Sequence, residues 1–213
     1  MAQTPAPCDV RHNMDASEVH QITYEPLFSG FFSANRLGLR HPTFNGSLCD
    51  IQTREVFIGN DAALVIPYNP IHDTVLLVEQ FRMGPYARGD KKPWMLEPVA
   101  GLVDPGETPE QCAIREVEEE AGIVLSNLHP ISQYYTSPGC STDYFHSFVG
   151  LCDLSDVNHR LGGLDAERED IFMHVLAFDD ALRLIETGEA QVGPLILMLL
   201  WLDRNRERLR ASA

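Results

Sequence analysis

The stretch 101–123, GLVDPGETPEQCAIREVEEEAGI, constrains the fold most, because it encodes one helix with clear signals at both ends. Thr108 is a suitable N-cap residue, Pro109 occupies the first helical position, and Gln111 completes a capping box. Gly122 suits the left-handed position that ends many helices. The sequence therefore predicts a sharply delimited helix over 108–121.

The predicted helix carries its charges and its apolar side chains on different sides. Side chains three and four positions apart on a helix are neighbours, so the carboxylates of Glu116, Glu119 and Glu120 share one face. Like charges at this spacing destabilise an isolated helix by roughly a few tenths of a kcal/mol per pair. The other side carries an apolar stripe that can pack against a sheet: Ala113, Val117 and Ala121.

This acidic face has two interpretations. A run of glutamates on a helix is commonly a solvated surface whose charges pair with lysines one turn away. Here Arg115 is the one basic residue within the helix. Clustered carboxylate oxygens are also what Mg²⁺ or Mn²⁺ binds, together with water and substrate phosphates. Spacing alone leaves the solvated face and the metal site both open.

The spacing around this helix resembles the Nudix box at every defined position. Gly101 is followed after five residues by Glu107, and after seven more by REVEEEAGI, which begins at Arg115. The chain is therefore similar to the Nudix hydrolases. This resemblance implies an α/β fold, the Nudix α/β/α sandwich with a mixed sheet, in which the loop and the helix surround divalent cations.

The same resemblance implies roles for individual residues of the box. The implied metal ligands are the carbonyl of Ala100 and the carboxylates of Glu116 and Glu120. Glu119 and Arg115 are grouped with the catalytic residues. Glu119 would be a further ligand or a neighbour of the ligands, and Arg115 would pair with Glu107 in a mainly structural role. The residues implied to shape the box are Gly101, Glu107 and Gly122.

The sequence around the box resembles bacterial ADP-ribose pyrophosphatases from about 30 to 202. The stretches that carry the likeness are SGFFSANRLGLRHPTFNG, TREVF, VLLVEQFR, PWMLEPVAG, YYTSPGCSTD and GGLDAEREDI. The likeness implies Mg²⁺-dependent hydrolysis of ADP-ribose to AMP and ribose 5-phosphate. Mn²⁺ is the alternative metal, and two or three ions per site are implied. The N-terminal half is also similar to proteins linked to tellurite resistance in some bacteria.

Four residues match substrate-binding positions of that subfamily: Phe31, Arg54, Arg82 and Asp143. Phe31 would stack on adenine. The arginines would grip the substrate, since a planar guanidinium binds phosphate bidentately and stacks on rings. Residue chemistry alone would favour core packing for Phe31 and surface ion pairs for Arg54 and Arg82. Two positions depart from the subfamily, because Cys140 stands where glycine is usual and Asp143 where glutamate is usual.

The acidic loop GGLDAERED resembles the family's mobile segment that delivers a general base after the substrate binds. Glu167 matches that base, and Glu169 matches an additional metal ligand. The leading glycines, Gly162 and Gly163, suit a hinge. A solvated acidic loop is the alternative. Elsewhere in the chain, Trp94 and Glu97 are expected to support the site, with core packing as the alternative for Trp94.

Composition and pattern divide the chain into a polar tail at 1–19, a strand region at 20–59 and a Nudix domain at 60–213. The strand region shows short apolar runs broken by turns, with a hairpin signal at Asn45-Gly46. It is too small for a stable core, so it must pack on the rest of the chain or on a second subunit. The resemblance implies a small antiparallel β domain exchanged across a homodimer, with active sites built from both subunits.

Apolar runs predict the elements of the Nudix domain. Strands are expected at 62–67, 74–79, 94–99, 130–136, 144–151 and 172–177. Further helices are expected at 178–186 and from 193 onward. Strands interrupted by helices in this order predict a mixed sheet between helical layers.

Charge and cysteine content limit the partners and the compartment. The chain has 31 acidic and 16 basic residues, so nucleic acid, which needs a basic footprint, is a poor partner. A small anionic substrate can still bind through bridging cations. Five cysteines without a CxxC pair and a polar N-terminus predict a reduced, cytoplasmic protein. The apolar run 194–202 is too short for a membrane span of about 20 residues.

Two alternatives to ADP-ribose hydrolysis stay open from the sequence. The same chemistry could act on another nucleoside diphosphate sugar, such as GDP-mannose. A Nudix domain could instead only sense a nucleotide sugar and regulate a partner. Degenerate sensors usually lose the metal-binding glutamates, whereas all the expected carboxylates are present here. The sequence therefore favours the enzyme.

Overall fold

The computed structural model describes His12 and residues 14–157, 160–163 and 169–211. These residues form two compact units. The first comprises the described part of Met1–Gly59 together with Ser137–Thr142. The second comprises Asn60–Thr136 together with the described part of Asp143–Ala213. Each unit has its own β-sheet.

The first unit is a three-stranded antiparallel sheet in the order β1-β2-β3. Its elements are a 3-10 turn at Ala16–Glu18, β1 His20–Ser29, β2 Ser33–Arg40 and β3 Gln52–Ile58. The predicted hairpin signal lies between β2 and β3, where Gly46 has a φ of 86° that favours glycine. The short apolar runs of this region predict short strands, and this prediction is wrong for β1. It runs through ten residues because irregularities in its pairing with β2 absorb Pro26 without ending the strand.

The first unit buries almost none of its side chains. Among its described residues, only Asn35 and Gly38 are buried. Large apolar side chains are exposed instead, including Tyr24, Phe28 and Phe31. This agrees with the expectation that these strands cannot form a stable apolar core by themselves.

The second unit is built on an eight-stranded mixed sheet in the order β10-β11-β5-β4-β9-β8, with β6 paired to β5 and β7 paired to β4. β4 and β9 are parallel, and the other pairs are antiparallel. The strands are β4 Asp61–Asn69, β5 Thr74–Phe81, β6 Trp94–Glu97, β7 Val99–Leu102, β8 Asn127–Tyr135, β9 Tyr144–Leu151, β10 Arg160–Gly162 and β11 Ile171–Ala177. The helices are α1 Met83–Arg88, α2 Pro109–Ala121, α3 Phe178–Thr187 and α4 Gly193–Arg210.

Apolar clusters lie on both faces of this sheet. Successive side chains of a strand point to opposite faces. Leu64 and Ile66 of β4 therefore join a cluster with α3 and α4, whereas Ala63 and Val65 join a second cluster with α2. β4 reads as a continuous apolar run because both of its faces are buried. The expected α/β sandwich with a mixed sheet is confirmed.

The apolar faces of α2 and α4 lie where the sequence predicts. α2 buries its stripe of Ala113, Val117 and Ala121. α4 contains the run 194–202 and buries Leu195, Met198, Leu199 and Leu202 within that run. No helix in the described part of the chain is long and apolar enough to cross a membrane.

Several elements differ from the sequence prediction, and one of them is the short strand β10, which was not predicted. The strand expected at 94–99 is two strands, because Pro98 has no N–H to continue a ladder. β6 consequently pairs with β5, and β7 pairs with β4. The short helix α1 was not predicted, because it contains Gly84 and Pro85 and shows no helical periodicity of apolar residues. It ends at Gly89, which has a φ of 91°.

Asp73 joins the turn between β4 and β5 to the C-terminal helix. It adopts a φ of 56°, which is uncommon for a residue other than glycine. Its side chain accepts a hydrogen bond from the Tyr68 hydroxyl at 2.8 Å. It also contacts Nη1 of Arg206 at 3.3 Å and Nη1 of Arg210 at 2.9 Å. One half-buried carboxylate thus holds together a strained turn, a core tyrosine and the end of α4.

Replacing Asp73 by alanine should lower the free energy of unfolding by about 2 kcal/mol, because the tyrosine and both arginines lose their partner. Asp73→Asn should recover part of this loss, since asparagine tolerates the left-handed turn and still accepts a hydrogen bond. Urea unfolding followed by circular dichroism measures both changes. Asp90→Ala, at the exposed pair with Arg88, is the control and should change stability by less than about 0.5 kcal/mol. Wild-type stability in Asp73→Ala would contradict the expectation.

Candidate active site

α2 begins and ends as its sequence predicts. The Thr108 hydroxyl accepts a hydrogen bond from the Gln111 N–H at 3.2 Å, and the Gln111 side chain accepts one from the Thr108 N–H at 2.9 Å. Gly122 ends the helix with a φ of 63°, and its N–H donates to the Glu118 carbonyl. The predicted capping box is confirmed, and it fixes where α2 starts, while Gly122 fixes where it ends.

Gly101 allows the strand before the box to approach the helix closely. A methyl group at Gly101 would overlap the carboxyl group of Glu116, so only glycine fits without displacing that side chain. Gly101 lies in β7, opposite Ala63 of the central strand β4. Ala100, whose carbonyl is an expected metal ligand, precedes it in the same strand. The sheet edge and the acidic helix are therefore in direct contact at this point.

Arg115 connects three carboxylates. Its Nε and Nη2 each donate to Glu107 at 3.0 Å, and its Nη1 donates to Glu116 at 2.7 Å and to Glu119 at 2.8 Å. The hydrogen bond from Arg115 lowers the pKa of Glu107, so the brace between loop and helix is an ion pair. Arg115 and Glu119 are four residues apart, which is the pairing expected if the acidic run were a solvated helix surface.

Cys112, to which the sequence assigned no role, lies fully buried beneath this brace. Its thiol donates to the Leu102 carbonyl at 3.3 Å, and Nη2 of Arg115 donates to its sulfur at 3.5 Å. Burial raises the pKa of the thiol to about 12, so it stays protonated. Its spacing of three residues from Arg115 is the signal that would have placed it there.

Glu120 differs from the other carboxylates of the helix. Only 3% of its surface is exposed, and its Oε2 has no hydrogen-bond partner among the described residues. Burial, together with the charges of Glu169 and Glu116, raises its pKa to about 9. Burial also raises the pKa of Glu116. A desolvated carboxylate beside two others is a position that a bound cation would stabilise.

The acidic residues fit a divalent cation, although they do not yet form a complete ligand set. Among the described residues, no group of three or more His, Cys, Asp or Glu side chains is arranged to hold a metal ion. Arg115 engages the carboxylates of Glu116 and Glu119, whereas Glu120 retains a buried oxygen without a partner. Carboxylate oxygens are the ligands that Mg²⁺ and Mn²⁺ prefer. The unpartnered oxygen of Glu120 is the structural feature that supports a cation here.

Arg82, at the end of β5, carries a positive charge next to this acidic group. Its Nε donates to Glu97 Oε1 at 2.9 Å and its Nη2 donates to Oε2 at 2.5 Å. Glu97 is 8% exposed. The charge of Arg82 lowers the pKa of Glu120, opposing the effect of burial. β5 and β6 thus bring an arginine near the acidic face of α2.

The segment before the acidic loop is fixed to the backbone of Glu120. The Gly163 N–H donates to the Glu120 carbonyl at 3.2 Å, and a methyl group at Gly162 would overlap that carbonyl. Gly163 has a φ of 86° and lies so close to Glu169 that a methyl group on it would overlap the Glu169 Cβ. These contacts put Glu169 beside α2. Glu167, the expected base, lies outside the described residues.

The expected substrate residues lie in both units. Phe31 and Arg54 belong to the first unit, and Arg82 and Asp143 belong to the second. Phe31 is 81% exposed and meets Phe32 edge-to-face at 4.7 Å, so core packing does not describe it. The side-chain hydrogen bond of Arg54 goes to the carbonyl of its neighbour in the strand.

The loop containing Cys140 pairs with β3 within the first unit. The Phe57 N–H of β3 donates to the Cys140 carbonyl at 2.8 Å, and the Thr142 N–H donates to the Phe57 carbonyl at 3.0 Å. Cys140 is exposed, with its sulfur 3.3 Å from the Ser137 hydroxyl. Cys140, one of the two positions that depart from the subfamily, is therefore on the surface.

Comparison with known proteins agrees with this architecture. The family model described as NUDIX domain matches residues 60–196. The chain is 35% identical over 206 residues to the ADP-ribose pyrophosphatase of Haemophilus influenzae, covering 96% of this chain and 94% of that protein. It is 34% identical over 194 residues to the ADP-ribose pyrophosphatase of Escherichia coli K12, covering 91% and 92%.

Two further similarities are informative. The GDP-mannose pyrophosphatase of Escherichia coli O1:K1 is 35% identical over 150 residues, which covers 70% of this chain and 77% of that protein. The crystal structure of an ADP compounds hydrolase matches with a TM-score of 0.68 at 18% identity, covering 92% of this chain and 96% of that chain. This last likeness shows the fold. The chain belongs to the Nudix family, as the box indicated, and the family and its named relatives indicate a hydrolase.

In the metal-free protein, the raised pKa of Glu120 should make stability depend on pH. The folded state keeps a proton that the unfolded chain releases near its ordinary pKa of 4.5. The stability from that proton is fully present below about pH 4.5 and is lost as pH rises toward about 9. Glu120→Gln should flatten this fall, by on the order of a few kcal/mol across the range.

Urea unfolding in EDTA at stepped pH measures the dependence. Glu118→Gln, an exposed position on the same helix, is the matched control and should follow the wild-type curve. Parallel curves for the wild type and Glu120→Gln would show that Glu120 does not carry the buried proton.

Proposed function

We propose that this protein hydrolyses the pyrophosphate of ADP-ribose to AMP and ribose 5-phosphate, using Mg²⁺ or Mn²⁺, with two or three ions per site. The observation that carries the chemistry is the buried Glu120 carboxylate, whose Oε2 has no partner among the described residues, within an intact Nudix box. The substrate is supported by the names of relatives that align over nearly the whole chain.

The ligands in this proposal are the carbonyl of Ala100 and the carboxylates of Glu116, Glu120 and Glu169. When bound, divalent cations lower the pKa of a water nucleophile and neutralise charge on the pyrophosphate. Arg115 holds Glu116 and Glu119 in place through hydrogen bonds of 2.7 and 2.8 Å. Glu119 then stands beside the ligands or joins them.

The remaining residues in the proposal bind the substrate or move a proton. Arg82 offers a planar fork to a phosphate group, and Arg54 grips the substrate from the first unit. Phe31 stacks on adenine, a role that suits an aromatic ring that is 81% exposed. Asp143 contacts the substrate. Glu167 takes the proton from the attacking water as general base.

We further propose that the protein is a cytoplasmic homodimer. The strand region 20–59 exposes large apolar side chains and buries almost none among its described residues. A second copy of the chain would cover these side chains, as a partner does for an exposed apolar patch. The Nudix domain at 60–213 would then act with the strand region of the other copy.

A second candidate substrate is GDP-mannose, which is favoured by the relative of that name aligning over 70% of this chain. A purely sensing role is less well supported, because Glu116, Glu119 and Glu120 are all retained. The deciding experiment compares kcat/KM for ADP-ribose, GDP-mannose, NADH and ADP-glucose with Mg²⁺, with products separated by chromatography. ADP-ribose should give the highest value. A higher value for GDP-mannose would replace it as the substrate.

Glu116→Gln should lower kcat for ADP-ribose by roughly 100-fold or more, because an expected cation ligand loses its charge. The circular dichroism spectrum should match that of the wild type. Glu118→Gln, which is exposed on the same helix, should retain wild-type turnover. Full turnover by Glu116→Gln would remove it from the ligand set.

Glu167→Gln should lower kcat by roughly 100-fold, because general base catalysis contributes on that order. The affinity for ADP-ribose, measured by calorimetry with Ca²⁺ in place of Mg²⁺, should change by less than about threefold, since the base acts after binding. An unchanged kcat would assign the base to another residue.

A further inference from the structure

We propose that Glu97 is a positioning residue that holds Arg82 away from the carboxylate of Glu120 and leaves part of its guanidinium open. The inference rests on the proposed function, in which Arg82 binds the pyrophosphate and Glu120 binds a cation. Glu97 acts only through Arg82 and touches neither the substrate nor the cation.

The first observation is the geometry of the pair. Both carboxylate oxygens of Glu97 accept hydrogen bonds from Nε of Arg82, at 2.9 and 3.1 Å, and Oε2 also accepts one from Nη2 at 2.5 Å. Both contacts use the same edge of the guanidinium. No hydrogen bond from Nη1 to another described residue accompanies them. The planar fork is thus oriented by one edge, while the donors of its other edge remain available to a phosphate.

The second observation is the unequal burial of the two partners. The Glu97 side chain is 10% exposed, and the Arg82 side chain is 44% exposed. Gln80 of β5 also donates a longer hydrogen bond to Glu97 at 3.4 Å. The carboxylate is therefore held both by Gln80 and by Arg82, which directly follows β5. The buried partner is therefore the fixed one, and the arginine is the partner that solvent and ligands can reach.

The third observation is the state of Glu120. Its Oε2 has no partner among the described residues. Arg82 lies close to it in the fold, because Ile171 of β11 pairs with both Gln80 of β5 and Gly162 of β10, and Gly162 packs against the Glu120 carbonyl. A free arginine would be drawn to such a carboxylate. Glu97 already engages Nε and Nη2, which explains why Arg82 makes no hydrogen bond to Glu120.

Without Glu97, the released Arg82 would compete with a divalent cation for the carboxylate of Glu120.

The experiment is a double-mutant cycle on Mn²⁺ affinity, measured by electron paramagnetic resonance without substrate. Glu97→Gln should weaken Mn²⁺ binding about tenfold, because the released Arg82 occupies Glu120. Arg82→Ala should not weaken it, and Glu97→Gln combined with Arg82→Ala should regain wild-type affinity. A merely structural role would leave the double variant as weak as Glu97→Gln, and this result would overturn the proposal.

Two further variants serve as a matched control and as an independent test of the Arg82–Glu97 pair. Glu79→Gln removes a carboxylate of β5 that pairs with His174, and this variant should bind Mn²⁺ like the wild type. Arg82→Lys keeps the charge but cannot hold Glu97 with a planar fork, so it should weaken Mn²⁺ binding as Glu97→Gln does. If Glu97→Gln does not fold, as judged by circular dichroism, Arg82→Lys decides, and wild-type Mn²⁺ affinity in it would overturn the proposal.

The same set separates this inference from the proposed function. Wild-type protein that binds Mn²⁺ but does not hydrolyse ADP-ribose would refute the substrate, while the cycle would still test Glu97. With active protein at saturating Mg²⁺, Glu97→Gln should raise KM for ADP-ribose about tenfold and change kcat less than threefold. A fall in kcat with unchanged KM would contradict the positioning of Arg82.

Discussion

The desolvated carboxylate of Glu120 is the constraint on which the rest of the site depends. α2 must press its apolar stripe against the sheet, and this packing carries Glu120 out of water with no hydrogen bond to one of its oxygens. Arg115 compensates the neighbouring Glu107, Glu116 and Glu119 but donates nothing to Glu120. The site therefore keeps one buried carboxylate whose charge is stabilised once a cation binds.

Two arginines of the site, Arg82 and Arg115, are both held by acidic partners. Arg115 is fixed by residues of its own loop and helix, whereas Arg82 is fixed by Glu97 from the neighbouring strand. Charges that are already oriented need little reorganisation when a charged substrate arrives, and this preorganisation is how enzymes stabilise transition states. The backbone contributes as well, because Gly101 and Gly162 let neighbouring segments approach Glu116 and Glu120 more closely than a side chain would allow.

Much of the fold could be predicted because its signals are local. The capping residues Thr108 and Gln111 and the terminal Gly122 act within one helix, so their spacing alone predicts its ends. The split at Pro98 and the helix α1 were missed for a different reason. Whether a strand continues past a proline depends on which neighbours it pairs with, and Gly84 inside a short helix offers no periodic pattern to detect.

The sequence by itself determined the Nudix box, the shared face of its carboxylates and hence the family and the class of chemistry. The shared face follows from spacing along one helix, where 3.6 residues complete each turn, whereas the family and its chemistry follow from the resemblance of this stretch to the Nudix box. Only the tertiary structure decided that Glu120 is the desolvated carboxylate, that Glu97 holds Arg82, and that Glu169 lies beside α2. Burial and ion pairing depend on segments far apart in the chain, and the distance along a sequence carries no information about their distance in the fold.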